Sequence, residues 1–328
     1  MDRRTPAGRS LTGTSPRSAD AGLFGPASVT WRLDREAFLL LGAGPRALLL
    51  QIAHPAIAAG VAGHSNFRAD PWARLAGTLR SYLRIVYGTT AEAQAEIRRL
   101  NALHGSVRGS LPSGGTYDAR DPELALWVHA TLIDSTLATA GAWLSPLDGG
   151  ARARGYEESR PVGRAFGIPD RLLPADIDAF DAYVDTMLGS GGPVRPDPLA
   201  RELAAVILRP PPGPALRTMA GALAPWLPWP SLVDGIAAAG DQVPPAAVAW
   251  LMWPSIGLLP PPIREAYGLH WGALERAVAA WLVTGWRGWS ATLPASVRQM
   301  PQALAADRRV RQAGPHHQPP ADAGKAPA

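Results

Sequence analysis

Residues Asp121-Pro122-Glu123-Leu124-Ala125-Leu126-Trp127-Val128-His129-Ala130-Thr131-Leu132-Ile133 decide how the chain is read. Aspartate followed by proline is a helix start. The carboxylate can accept from the free backbone N–H groups of the first turn, and proline at the first helical position sacrifices no hydrogen bond. Leu124, Trp127, Val128, Leu132 and Ile133 then recur at helical spacing and lay an apolar stripe along one face. Working outward, Asp70-Pro71 repeats the device and opens a helix expected to run to Tyr87, where Gly88 stops it. Thr89-Thr90-Ala91-Glu92 reads as a capping box for a helix through Ile97, Leu100, Leu103 and Val107. Nearer the N-terminus, Asp34 is expected to cap a helix through Phe38-Leu39-Leu40-Leu41. Gly42 and Gly44-Pro45 should break it, apolar helix should resume near Leu48, and Pro55 should kink or end it. Pro174-Ala175-Asp176 begins a further helix carrying Ile177, Phe180, Val184 and Leu188.

Beyond Pro193 short apolar helices (Leu199–Leu208, Ala215–Leu223, Ala246–Trp253, Arg264–Trp281) alternate with proline clusters such as Pro260-Pro261-Pro262. The twelve tryptophans concentrate in this second half, where bulky core filling is the expected use. Strand-like alternation is nearly absent and no internal repeat is visible. The fold expected is all-α: one large multi-helix domain over residues 23–311, between disordered segments 1–22 and 312–328.

Composition narrows the chemistry. A chain of 328 residues with 47% hydrophobic content can bury a full core. The net charge of +5 comes from arginine scattered along the chain, with Lys325 the lone lysine, so no basic stripe for nucleic acid forms. There is no cysteine, which excludes disulfides, thiolate catalysis, zinc–thiolate and iron–sulfur sites, and thiolate-ligated or covalently attached haem. The N-terminal stretch has no apolar signal region, and with the absent cysteine this leads to an expected cytoplasmic location. The most hydrophobic run, Ala37 to Val61, carries Arg46 and His54 and reads as buried helix rather than as a stable membrane insertion.

Metal chemistry must therefore come from the seven histidines, the carboxylates or an organic cofactor. His54, His104 and His129 lie in apolar helical surroundings, with His64 just beyond the first. Arg74 and Thr78 are four residues apart and share a helix face, and His104 and Arg108 have the same spacing. A buried arginine demands an anionic partner. Two readings remain open. One is an interhelical Arg–carboxylate network with histidines packed in the core. The other is a prosthetic group whose acidic edge meets the arginines while a neutral imidazole ligates a metal. Gly77, Gly105 and Gly109 would let a flat ring approach the backbone. There is no H-E-x-x-H, Walker A or G-x-S-x-G motif, Gly42-Ala43-Gly44 does not follow a strand, and no glutamate stands three residues before a histidine as a di-iron bundle would require.

The ordered series His54-Pro55, Gly60-Val61, His64-Ser65, Asp70-Pro71, Arg74-Leu75, Thr78 and Val86-Tyr87-Gly88 resembles the domain shared by latex clearing proteins and MpaB-type oxygenases. The series continues with His104, Val107-Arg108-Gly109, Tyr117, Asp121-Pro122, Trp127-Val128-His129-Ala130-Thr131, Tyr156, Gly167-Ile168-Pro169 and Leu173-Pro174, so that the resemblance covers about Phe38 to Tyr267. It implies an all-helical fold around haem b and an O₂-dependent oxygenase acting on a small apolar substrate, isoprenoid or lipid in kind. The same fold without the catalytic groups would make a non-catalytic haem sensor or carrier. By motif, His104 corresponds to the proximal iron ligand with Arg108 beside it, Arg74 and Thr78 to the catalytic side of the pocket near the haem, and His129 to a rival ligand. His54 and His64 are implied as supporting groups in the pocket. Rubber-cleaving members carry a lysine immediately before that threonine, where this chain has Gly77, and the glutamate they use as a base has no counterpart before Arg74. The resemblance therefore implies an oxygenase-type pocket without implying rubber cleavage.

Overall fold

The structure is a computed structural model that describes residues 20–64, 71–208, 231, 253 and 255–312. It is almost wholly helical. In chain order the helices are α1 (Val29–Asp34), α2 (Ala37–Ile52), α3 (Pro55–His64), α4 (Pro71–Tyr87) and α5 (Thr90–His104). A short hairpin follows, β1 (Arg108–Ser110) with β2 (Thr116–Asp118). Then come α6 (Pro122–Trp143), α7 (Gly149–Ala165), α8 (Ile177–Leu188), α9 (Pro198–Leu208), α10 (Pro261–Ala266), α11 (Ala273–Ser290), α12 (Ala295–Arg298) and α13 (Pro301–Gln312). The expected helices at 215–223 and 246–253 and the expected disorder of 1–19 and 313–328 lie outside the described residues, apart from Trp253, which is helical. Asp20 is held in place: its carboxylate accepts from Thr90 and Gly22, and Arg309 donates to its carbonyl.

Local signals explain most boundaries. The Asp121 side chain accepts from Glu123 N at 2.9 Å and Pro122 opens α6. Thr89 and Glu92 form the expected capping box on α5. Gly88 follows α4 directly, and its amide closes the last turn onto Arg84 O.

Four expectations are corrected. The break at Gly42 and Gly44-Pro45 does not occur, and α2 runs through Pro45. Gly42 serves instead as a contact point between α2 and α6. A Cβ there would sit 2.9 Å from the Thr139 methyl and 3.1 Å from the Trp143 ring, so only glycine allows this approach. Helix-wide burial against α6 outweighs the single hydrogen bond lost at Pro45. Asp34 does not cap α2; it is the last residue of α1 and its carboxylate is taken by Tyr82, while Glu36 takes the N-cap position without a side-chain capping bond. The stretch expected as one helix from Arg264 to Trp281 is two, α10 and α11, separated by Gly268 at φ +68°. The hairpin was not foreseen; it turns at Gly114 and Gly115, both at positive φ, and puts Gly109 opposite Tyr117.

The core is centred on α2 and α6, the most extensively packed pair. Leu49, Leu50, Trp127, Tyr156, Phe180 and Leu203 form its main cluster, and Trp127 donates its indole N–H to Leu50 O at 3.1 Å. A second cluster packs Trp31, Leu83 and Tyr87 against Met300 and against Ala303 of α13. The tryptophans do not all fill the core as expected. Trp31, Trp127 and Trp143 are buried, whereas Trp281 and Trp289 on α11 are 74% and 60% exposed. Among the described residues no single helix is long and apolar enough to cross a membrane. Taken together α2 and α3 would be, but they meet at a 103° bend.

Candidate functional site

A cavity of about 2210 Å³ lies among α2, α4, α5, α6 and α11. Ordinary small-molecule pockets span roughly 300–1,000 Å³, so there is room here for a cofactor and a substrate together. Much of its wall is aromatic and aliphatic. Phe38 stacks on Trp286 at 3.9 Å between ring centres and leans on Trp143, and Trp289 packs edgewise on Trp286. All four line the cavity.

Its polar wall is built from α4 and α5. Arg74, Thr78 and Tyr82 follow one another at four-residue intervals along α4 and so share one face, Arg74 and Tyr82 being about 12 Å apart along the axis. Gly77 lies beside them, and a side chain at this position would meet open space. Arg74 is accessible where it lines the cavity, yet the protein around it is enough for burial to depress its guanidinium pKa. Among the described residues no carboxylate pairs with it. His104, the last residue of α5, is half-buried in the same wall. Burial first, and then the charge of Arg74, lowers its imidazole pKa, so the ring is neutral at neutral pH and keeps a lone pair for a ligand or metal. The helix pair α4–α5 is itself tied together by Glu96, which accepts from Ser81 at 2.7 Å and from Arg99; the hydrogen bonds from Arg99 hold its carboxyl at about 2.

The other candidates are placed differently. His129 borders the cavity, but burial pushes its pKa down to about 4, one ring nitrogen bonds to the Ser159 backbone, and Nε2 is buried with no partner. That nitrogen faces α7, where a Cβ on Gly163 would lie 3.1 Å from it. Gly163→Ala is accordingly expected to cost about 1–3 kcal/mol by forcing this ring to shift, which a urea unfolding midpoint would register. His64 also lines the cavity; its Nε2 pairs with the carbonyl of Arg108 at 2.9 Å. His54 and Arg108 are not brought to this cavity. They border a second one of about 950 Å³ with Asp118 and Asp121. The shared helix face expected for His104 and Arg108 does not exist, because α5 ends at His104 and Arg108 begins β1; its guanidinium donates to Gly105 O at 2.6 Å. Of the three glycines expected to admit a flat ring, only Gly77 opens onto space. Gly109 is filled by Tyr117, and Gly105 closes the end of α5.

Sequence reading missed a pair of polar groups on the wall, Tyr82 and Asp34. Tyr82 of α4 donates to Asp34 Oδ2 at 2.6 Å, and both border the cavity. The spacing from Arg74 through Thr78 to Tyr82 was the available signal. Asp34 had none, because its partner is 48 residues away.

Among the described residues no three His, Asp or Glu side chains converge to hold a metal ion. A metal carried in its own donor ring needs only one protein ligand, and one neutral, half-buried histidine beside an arginine and a backbone gap at Gly77 fits such a group.

The sequence pattern of the family described as "ER-bound oxygenase mpaB/B'/Rubber oxygenase, catalytic domain" matches residues 31–293. The chain belongs to this family. Its helical architecture is that expected from the resemblance, and the chain carries an oxygenase catalytic domain. Two uncharacterized proteins, from Mycobacterium bovis and Mycobacterium tuberculosis, are each 26% identical to the chain over 242 residues, covering 72% of it and 83% of their own length. No solved structure matches.

Proposed function

We propose that the chain is a haem b-dependent oxygenase acting on a small apolar substrate, isoprenoid- or lipid-like, with O₂. The observation that carries this reading is the pairing of neutral His104 with Arg74 in the wall of a large apolar cavity. His104 would be the metal ligand, and Arg74 would meet an acidic edge of the group. His104 suits the ligand role better than His129, whose free nitrogen is turned to α7. Gly77 and Thr78 leave the adjoining face of α4 without bulk. Haem held there would supply the chemistry of O₂ binding and activation. The protein's own part is to bind and exclude: Phe38, Trp143 and Trp286 hold apolar substrate and keep water out, while Arg74 supplies fixed positive charge at low dielectric.

The test is an absorption spectrum of the purified protein after haem addition, run beside His104→Ala and His129→Ala. A Soret band that vanishes only in His104→Ala supports the assignment. Wild-type protein without the band, or a band that survives in His104→Ala, overturns it. Sustained O₂ consumption with an alkene separates the oxygenase from a haem carrier of the same fold, which would consume none.

A further inference from the structure

Asp34 sits at the end of α1 with no solvent exposure. Its Oδ2 accepts one short hydrogen bond, from the Tyr82 hydroxyl, and its Oδ1 is buried without a partner. A buried carboxylate ordinarily gathers several donors or an arginine. Here the surroundings offer neither. From α4 come the phenols Tyr82 and Tyr87, and from α6 comes the neutral hydroxyl of Thr136, bonded to the Tyr82 hydroxyl. From α7 the carboxylate of Glu158 meets the opposite end of α1, on the amides of Val29 and Thr30. The neighbouring Arg35 is bonded to Asp307 of α13, and Glu36 pairs with Arg298. The arrangement suits a carboxylic acid better than a carboxylate. Burial accordingly lifts Asp34 to about 7, and burial keeps the Tyr82 phenol protonated well above its usual range.

Tyr82 lines the cavity on the α4 face that also carries Thr78 and Arg74. We propose that Tyr82, held by Asp34, is the substrate-recognition donor of the cavity, selecting an otherwise apolar ligand that bears a carbonyl or hydroxyl oxygen. When Asp34 is neutral, its own O–H donates to the Tyr82 oxygen, and the Tyr82 hydrogen turns to a ligand acceptor. When Asp34 ionises, the carboxylate claims the Tyr82 hydrogen and the donor is withdrawn. One proton moves on or off Asp34, and no bond to the ligand forms or breaks. The proposal deepens the apolar-substrate reading of the cavity and rests on it.

The test uses full-length protein and two probes, a medium-chain methyl ketone and the alkane of the same length. Binding is read by quenching of tryptophan fluorescence, since Trp143 and Trp286 line the cavity. Wild type should bind the ketone about tenfold more tightly than the alkane below pH 7, the worth of one hydrogen bond, and lose that preference above it. Tyr82→Phe keeps the ring and should lose the preference at every pH. Asp34→Asn, whose amide always donates, should retain the preference at both pH extremes. A ketone preference that persists in Tyr82→Phe, or one that does not change with pH in wild type, overturns the proposal. Failure of both probes to bind wild type would instead remove the apolar-cavity reading beneath it.

Discussion

Replacing Asp134 with alanine is expected to destabilise the protein by about 3–5 kcal/mol, because it strands a buried arginine. Arg46 of α2 is almost wholly buried. It donates through Nη1 to Asp134 Oδ2 at 2.6 Å and to Ser135 Oγ at 2.9 Å, and through Nε to Leu258 O at 2.8 Å. The guanidinium thus joins α2 to α6 and to the segment before α10. Removing the carboxylate leaves the charge in a space that water cannot solvate, and arginine cannot escape by deprotonation. Arg46→Met combined with Asp134→Leu should recover most of the loss, since apolar replacements of similar size carry no desolvation penalty. Urea unfolding of the two single variants and the double variant checks this. A loss under about 1 kcal/mol in Asp134→Ala, the range of exposed pairs such as Arg120–Asp118, would show that water reaches the guanidinium.

The second large effect is a dependence of stability on pH that Asp34→Asn should abolish. Burial raises Asp34 from 3.8 to about 7 in the folded protein, so the folded state holds its proton more tightly than the unfolded chain. Its contribution is fully present below about pH 4 and is lost as pH rises towards 7. Each unit of pKa is worth about 1.4 kcal/mol, which makes the total loss across this window about 4 kcal/mol. Asparagine does not titrate. Asp34→Asn should therefore match wild type near pH 4 and exceed it increasingly up to pH 7, with a constant difference above. Unfolding midpoints measured from pH 4 to pH 8 decide the matter: parallel curves for the two proteins would mean that Asp34 is ionised in the fold.

These two groups also show what could be read in the chain and what could not. Helix starts were legible at Asp121-Pro122 and at Thr89 with Glu92, where cap and helix adjoin in sequence, although the same device at Asp148 before α7 was not read. These are contacts within one turn, so residue type and spacing suffice. The all-helical class was legible for the same reason, and Arg74, Thr78 and His104 were legible as candidates through their spacing and the family resemblance. The rest belongs to contacts between helices. Pro45 stays inside α2 because the packing of α2 on α6, with Gly42 against Thr139 and Trp143, outweighs a local helix breaker. His104 and Arg108 part company because α5 stops between them, while His104 and Arg74, 30 residues apart, meet in the cavity wall. His129 and His104 look alike in sequence and both border the cavity, yet the free ring nitrogen of His129 is turned to Gly163. Asp34 reads as a helix cap until Tyr82 takes its carboxylate. The sequence by itself determined the all-helical class, several of the helix starts and the inventory of groups able to do chemistry. The tertiary structure alone decided which of those groups share a wall and in what protonation state, because burial and long-range partners are properties of the packed fold.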